Sequence, residues 1–480
     1  MTKKSSLLVV DLDGTLLKSD LLWECLLRFL IPKGWRIIQV LAWIFQGGPS
    51  LLKAQLAHHV KLDASTLPWN ESVVLFCEKW VREGGRVVIA TASNQELTQK
   101  ITQHFSFVSV VIGSTSTWNG KGDQKALRLV ETYGVSGFDY MADSSADIPV
   151  WKVSQQAWFV GSKMKHRSLQ RSCAAELHHL AESDQSLHMG FLKAIRPHQW
   201  LKNVLVFVPL IAAHRWSEIM VWQQTLPAFF SLCCMASASY LWNDMADIEA
   251  DRRHPAKKHR PIASGSQGIP VAVLSMFGLF SLGILAAWSA GLIVVLASLA
   301  YFFLSLIYTI KIKTIPVFDV LFLSGLYTYR MVLGGLAASV MISPWLLAFS
   351  TAFFLGLAFL KRYVELSGSD PKEANEVFSR RGYVQGDSLF ILIAGLCSSF
   401  FSIVVLALYL DSSASKVLYQ SPERLWGIAL ALLAWNLYVW FLALRKKMCE
   451  DPVWFAARDP VTYGLAFLSL LSIVLSGPRA

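Results

Sequence analysis

The chain has 480 residues, 54% of them hydrophobic and 16% charged, with a mean hydropathy of +0.43. These values exclude a wholly soluble protein and imply membrane-embedded segments. The net charge of +11 does not mark a nucleic-acid binder, because Lys and Arg cluster at the ends of apolar runs.

Up to about Leu187 the chain mixes charged and apolar residues as a soluble domain does, and after His198 it becomes a series of long apolar runs. The opening MTKKSSLLVVDLDG has too short an apolar stretch for a secretory signal. Ser6 to Val10 is a short apolar, partly β-branched run that reads as a buried strand. It leads directly into Asp11-Leu12-Asp13-Gly14-Thr15-Leu16. From Asp20 to Arg82 the patterning is helical and predicts a small cap. Within it, GWRIIQVLAWIFQGG is too short for a membrane span and reads as a buried cap helix; the alternative is an interfacial helix that touches the bilayer and admits a lipid-linked substrate.

A second apolar run, Arg86 to Ala90, ends at Thr91. A third, Val108 to Ile112, precedes a polar stretch ending at Lys125. A fourth leads from Phe138 to Asp143 and Asp147. Strands alternating with helical segments predict an α/β, Rossmann-like parallel sheet covered on both faces, with polar residues of function at the strand ends.

DLDGTL, the strand-end Thr91, Lys125 and the Asp143–Asp147 pair occur in the order of haloacid dehalogenase-like phosphatases, which residues 1–165 resemble. The resemblance implies Asp11 as nucleophile and Asp13 as general acid/base, with Thr91 and Lys125 holding the phosphoryl group. It also implies Mg2+ at Asp11, Asp13, Asp143 and Asp147. Ala142 departs from the common pattern, where Gly is frequent. A regulatory or docking module is the non-enzymatic alternative for this half. Residues 166–190 form a basic join with Lys, Arg and His enriched at its start.

Nine candidate spans follow, at about 200–214, 224–242, 269–288, 290–309, 316–338, 344–361, 388–410, 424–444 and 460–477. The loops after the second, fourth, sixth and eighth spans carry the basic residues, among them Arg252, Arg253, Lys257, Lys311, Lys361 and Lys446. By the positive-inside rule those loops and the N-terminal domain face the cytosol, in a multi-pass protein of the cell inner membrane.

Asn243, Asp244, Asp247 and Asp251 lie in LWNDMADIEADRRHP at the mouth of the second span. If helical, Asn243, Asp247 and Asp251 recur at i, i+4, i+8 with Asp244 beside that row. Three carboxylates on one face call for a divalent cation, and an all-oxygen set points to Mg2+ shared with substrate phosphates.

NDxxDxxxD, the RPHQWLKN stretch from Arg196 to Asn203 and nine helices together resemble the UbiA superfamily of membrane prenyltransferases, over residues 191–480. The stretch from His254 to Gly265 and Lys361-Arg362-Tyr363-x-Glu365 are most similar to its branch that transfers phosphoribose to a polyprenyl phosphate. That implies phosphoribosyl diphosphate and polyprenyl phosphate as substrates, with Asp244, Asp247 and Asp251 on Mg2+. Lys202, Asn203, Asn243, Arg260, Lys361 and Arg362 are then candidates for holding substrate. Where quinone- and haem-type members carry a second DxxxD, this chain reads KRYVELSGSDPKEANE, with Asp370, Glu373 and Glu376 but no such motif. Its basic leading pair suits a lipid phosphate. The alternative is an aromatic prenyltransferase for a quinone or haem precursor.

Overall fold

The computed structural model describes residues 6–115, 118–173, 176–181, 187–255, 257–368, 382–448 and 451–477. They form two compact units: one of Met1–Ile195 with Tyr240–Met276, the other of Arg196–Ser239 with Phe277–Ala480.

The first unit is built on a six-stranded sheet in the order β3-β2-β1-β4-β5-β6. The strands are β1 (Leu7–Val10), β2 (Arg86–Asn94), β3 (Val108–Ser114), β4 (Asp139–Ala142), β5 (Ala157–Gly161) and β6 (Leu177–Ala181), and every pairing is parallel. All four residues of β1 are buried because both sheet faces are covered. Leu8 and Val10 enter one core with Val87, Ile89 and Met141; Leu7 and Val9 enter the other with Val88, Ala90 and Tyr140. This alternation is the two-residue period of a strand. β6 falls inside the 166–190 stretch, so the sheet extends into what the composition presents as a join.

Between β1 and β2 lies the helical cap: α1 (Leu21–Leu30), α2 (Ile37–His59) and α3 (Glu71–Arg82). Asp20 caps α1 by accepting from Leu22 N and Trp23 N. α2 is two helical pieces joined at Gly48, which takes φ +66° ahead of Pro49. Proline has no N–H for the ladder and glycine tolerates the left-handed turn. The expected buried cap helix is half right. Val40 is buried and Trp43 packs on Phe29, but Ile38 and Phe45 are 68% and 87% exposed. Composition announces an apolar helix; it does not say that only one side has a partner.

Seven described helices are long and apolar enough to cross a membrane, from Ile219–Ala246 to Pro422–Leu444, and Pro460–Ser476 is a shorter apolar helix. The protein is a membrane protein. The segment expected as a first span at 200–214 is instead 3₁₀ turns over Pro197–Phe207 and a five-residue helix, Val208–Ala212. Pro197 and Pro209 sit at the starts of these pieces, where a missing N–H costs least. Asp370, Glu373 and Glu376 lie outside the described residues. The described cysteines are free; Cys25, Cys77, Cys173 and Cys233 are buried, Cys234 is half-buried and Cys397 is exposed.

Candidate active sites

The sheet delivers its polar residues to one edge. Asp11 follows β1, and its backbone N–H donates to Met141 O of β4 at 2.9 Å. Lys125 Nζ donates to Asp11 Oδ1 (2.9 Å), Asp147 Oδ1 (3.1 Å) and Tyr140 Oη (3.0 Å). The Tyr140 hydroxyl and the Ser144 hydroxyl donate in turn to Asp147. Oxygens of Asp11, Asp143 and Asp147 all lie within 4.8 Å of one another, and this is the one such acidic group among the described residues. Three carboxylates converging there fit a Mg2+ ion. Gly14, at φ +78°, passes so close that an added Cβ would meet the Asp143 carboxylate at 2.7 Å.

Asp13 is held apart from that trio. Its Oδ1 accepts from Leu21 N at 2.7 Å, and its Oδ2 accepts from Ser93 Oγ at 2.7 Å and Thr91 Oγ1 at 3.2 Å. These bonds direct the carboxylate towards β2 and the first turn of α1, so the geometry assigns it no place among the metal-capable oxygens. Burial, helped by the charge of Asp20, pushes its carboxyl up to about 6. A carboxyl group near 6 gives and takes protons at neutral pH. Burial also raises Asp11, partly countered by the Lys125 ammonium. Burial alone would lower Lys125, but Asp11 and Asp147 hold it above its ordinary value, so it stays charged.

The acidic stretch belongs to the same unit. Helix Ile219–Ala246 gives way to helix Ile248–Arg253 at Asp247. The i→i+4 ladder nevertheless runs through the join: Asp247 N donates to Asn243 O (2.9 Å) and Asp251 N to Asp247 O (2.8 Å). The expected row therefore survives the break. Asp244 and Asp251 are buried and share one cation, as Arg260 donates to Asp244 Oδ1 at 3.1 Å and Asp251 Oδ2 at 2.6 Å. Burial raises the Asp251 carboxyl, against the pull of Arg260. The oxygens of Asp244, Asp247 and Asp251 are the ligand type Mg2+ takes, but they do not converge within 4.8 Å as those of the first trio do, and a guanidinium bridges two of the residues. Asn243 and Asp247 are half-buried.

In the second unit, Lys202 donates to Asp451 Oδ2 at 2.6 Å, and Lys361 Nζ lies 3.8 Å from the same oxygen. Two lysines remote in sequence thus converge on one carboxylate, which they hold below its usual range despite burial. Asn203 donates to Cys233 Sγ and accepts from the buried Arg330 at 2.9 Å. Arg362 is buried and donates to Asp319 (2.6 Å), Glu365 (2.6 Å) and Tyr308 (3.2 Å).

Residues 204–471 match the UbiA prenyltransferase family, and residues 8–152 match haloacid dehalogenase-like hydrolases. The chain belongs to the UbiA prenyltransferase family. It carries a haloacid dehalogenase-like domain ahead of the family's helical domain. An uncharacterized protein of Sinorhizobium fredii, y4nM, is 31% identical over 98% of this chain and 90% of its own length. Nodulation protein NoeC of Azorhizobium caulinodans is 31% identical over 60% of this chain and 92% of its own. The decaprenyl-phosphate phosphoribosyltransferase of Corynebacterium glutamicum is 36% identical over 42% of this chain and 64% of its own.

Several participants escape a sequence reading of this UbiA-family chain. Ser93 had a signal, two residues beyond Thr91 on the same strand. Tyr140, Asp319, Arg330 and Asp451 had none, since each acts through partners far along the chain. Lys53, in the second piece of α2, donates to Ala92 O at 2.6 Å and so ties the cap to the end of β2 that carries Thr91 and Ser93.

Proposed function

We propose that the UbiA domain transfers 5-phosphoribose from phosphoribosyl diphosphate to a polyprenyl phosphate at the cytosolic membrane face. The N-terminal domain then removes a phosphomonoester, the 5-phosphate of the lipid-linked product. The convergence of Lys202 and Lys361 on Asp451 carries this reading, because two lysines on one exchangeable anion form a ready seat for a lipid phosphate. The partial similarity to a decaprenyl-phosphate phosphoribosyltransferase supports the same choice of substrates.

In the transfer, the bond from ribose C1 to the diphosphate oxygen breaks as a lipid phosphate oxygen bonds to C1. The nucleophile is already an anion, so no general base is needed. Mg2+ at Asp244, Asp247 and Asp251 would neutralise the leaving diphosphate. Arg260, which pairs with Asp244 and Asp251, would hold the substrate's phosphates beside those carboxylates. Asn203 and Asn243 orient substrate or the groups around it, and Arg362, bonded to Asp319, Glu365 and Tyr308, anchors the helix that carries Lys361.

In the hydrolysis, Asp11 attacks phosphorus and Asp13 gives its proton to the departing alcohol oxygen. Asp13 then takes a proton from the water that cleaves the aspartyl-phosphate. Lys125 and Thr91 hold the phosphoryl oxygens, and Mg2+ at Asp11, Asp143 and Asp147 would screen the approach of two anions.

The substrates are tested by giving purified protein, Mg2+ and polyprenyl phosphate either phosphoribosyl diphosphate or a prenyl diphosphate with an aromatic acceptor. Consumption of the first donor is expected. Consumption of the prenyl diphosphate alone overturns the reading.

A further inference from the structure

The first piece of α2 has two unlike faces. Val40 and Trp43 face inward, with Arg36 just ahead of the helix: Arg36 donates to Phe29 O at 3.2 Å, Val40 is buried and the Trp43 ring lies 5.2 Å from that of Phe29. Ile37, Ile38, Leu41, Ile44 and Phe45 face outward and exposed, with Trp35 exposed just ahead of them. Positions 37, 38, 41, 44 and 45 follow helical spacing, so they form one continuous apolar stripe. A stripe of this kind on a soluble surface marks something that covers it.

The same compact unit identifies the cover. It contains Tyr240–Ala246, the end of one span, and Ile269–Met276, the beginning of the next. A bilayer surface therefore borders this unit. The loop between those spans grips the cap on both sides of α2: Arg28 of α1 pairs with Glu249 at 2.5 Å, and Asp63, just past α2, pairs with Arg253 at 3.1 Å. α2 is the cap segment strung between these two anchors. Lys33 and Lys61, exposed near its two ends, supply the positive charge that anionic headgroups attract.

We propose that residues 35–45 form an in-plane membrane helix, with Trp35 at headgroup level and Ile38, Leu41 and Phe45 among the acyl chains. The cap is then a lipid-facing element of the phosphatase domain. Through Lys53 and Ala92 it is joined to the end of β2 that carries Thr91 and Ser93, so the hydrolytic site works at the membrane surface, on phosphomonoesters carried by lipids. The membrane contact itself does not rest on the proposed reaction and is tested separately from it.

The full-length protein is placed in nanodiscs containing anionic phospholipid and a trace of a phospholipid with a photoactivatable diazirine in its acyl chain. After irradiation, lipid adducts are mapped by mass spectrometry. Adducts are expected on the peptide spanning residues 34–47 at a level comparable with the spans, and not on the exposed Val110 and Leu127 of the sheet domain. The double variant Ile38→Glu, Phe45→Glu should lower the adducts on that peptide several-fold and leave turnover of a soluble phosphomonoester unchanged. Labelled spans with an unlabelled 34–47 peptide overturn the proposal, including the case in which crosslinking shows a second copy of the chain covering the stripe.

Discussion

Glu24 and Arg252 stand 228 positions apart in the chain and meet through two charged hydrogen bonds, of 2.6 and 3.0 Å. Glu24 is fully buried in the cap helix α1, and Arg252 directly follows Asp251 of the acidic motif. Arg28 adds a further bond to Glu24 (2.6 Å) and reaches Glu249 (2.5 Å). The N-terminal end of α1 holds Asp13 through the Leu21 amide, so one short helix touches the surroundings of both sites.

Removing either partner strands a buried charge. Glu24→Ala and Arg252→Ala are each expected to destabilise the unit by about 3–5 kcal/mol. In a double-mutant cycle read by thermal unfolding in detergent, the pair should show coupling of about 2–3 kcal/mol. Additive losses would mean that the two residues do not act on each other.

The same pair sets a pH dependence. Burial alone would raise the Glu24 carboxyl; the bonds and charge of Arg252, with the charge of Arg28, instead hold it at about 2, against an ordinary 4.5. A carboxyl depressed on folding stabilises fully above its unfolded value and loses that contribution as pH falls through the folded one. The interval corresponds to about 3 kcal/mol, lost between pH 4.5 and about 2. Glu24→Gln should be less stable at neutral pH and show a flatter profile across that window. An unchanged slope would remove Glu24 from the account.

Much of the first site was legible because parallel sheets place their chemistry at strand ends. The runs at Leu7–Val10, Arg86–Ala90 and Phe138–Ala142 therefore located Asp11, Thr91 and Asp143. What escaped depends on contacts between distant segments. Nothing local tells Glu24 that it faces Arg252, or Arg362 that Asp319 awaits it. Composition marked the start of α2 as apolar but not the exposure of one of its sides. The expected span at 200–214 has the hydropathy of a span; its two prolines open each piece and leave no continuous helix.

Asp13 should matter in proportion to the leaving group. Asp13→Asn is expected to slow hydrolysis of an alkyl phosphate by about 10²–10⁴-fold, the range for losing a positioned proton donor. With nitrophenyl phosphate, whose leaving group needs no proton, the first step should slow far less. Equal losses on both substrates, measured as single-turnover phosphorylation of the enzyme, would contradict its role as acid.

Lys202 and Lys361 should act on the lipid substrate. Lys202→Ala and Lys361→Ala are each expected to raise the KM for polyprenyl phosphate about 10-fold, equivalent to about 1.4 kcal/mol of phosphate binding. The KM for phosphoribosyl diphosphate should change little. The reverse pattern would place these lysines on the donor.

The order of the two reactions is tested most directly by following a label in the 5-phosphate of phosphoribosyl diphosphate, with full-length protein, Mg2+ and polyprenyl phosphate. The label is expected first in a lipid product and then as inorganic phosphate. Asp11→Asn should trap it in the lipid, and Asp247→Asn should keep it from reaching the lipid at all. A wild-type protein that completes the transfer and leaves the 5-phosphate on the lipid would contradict the account.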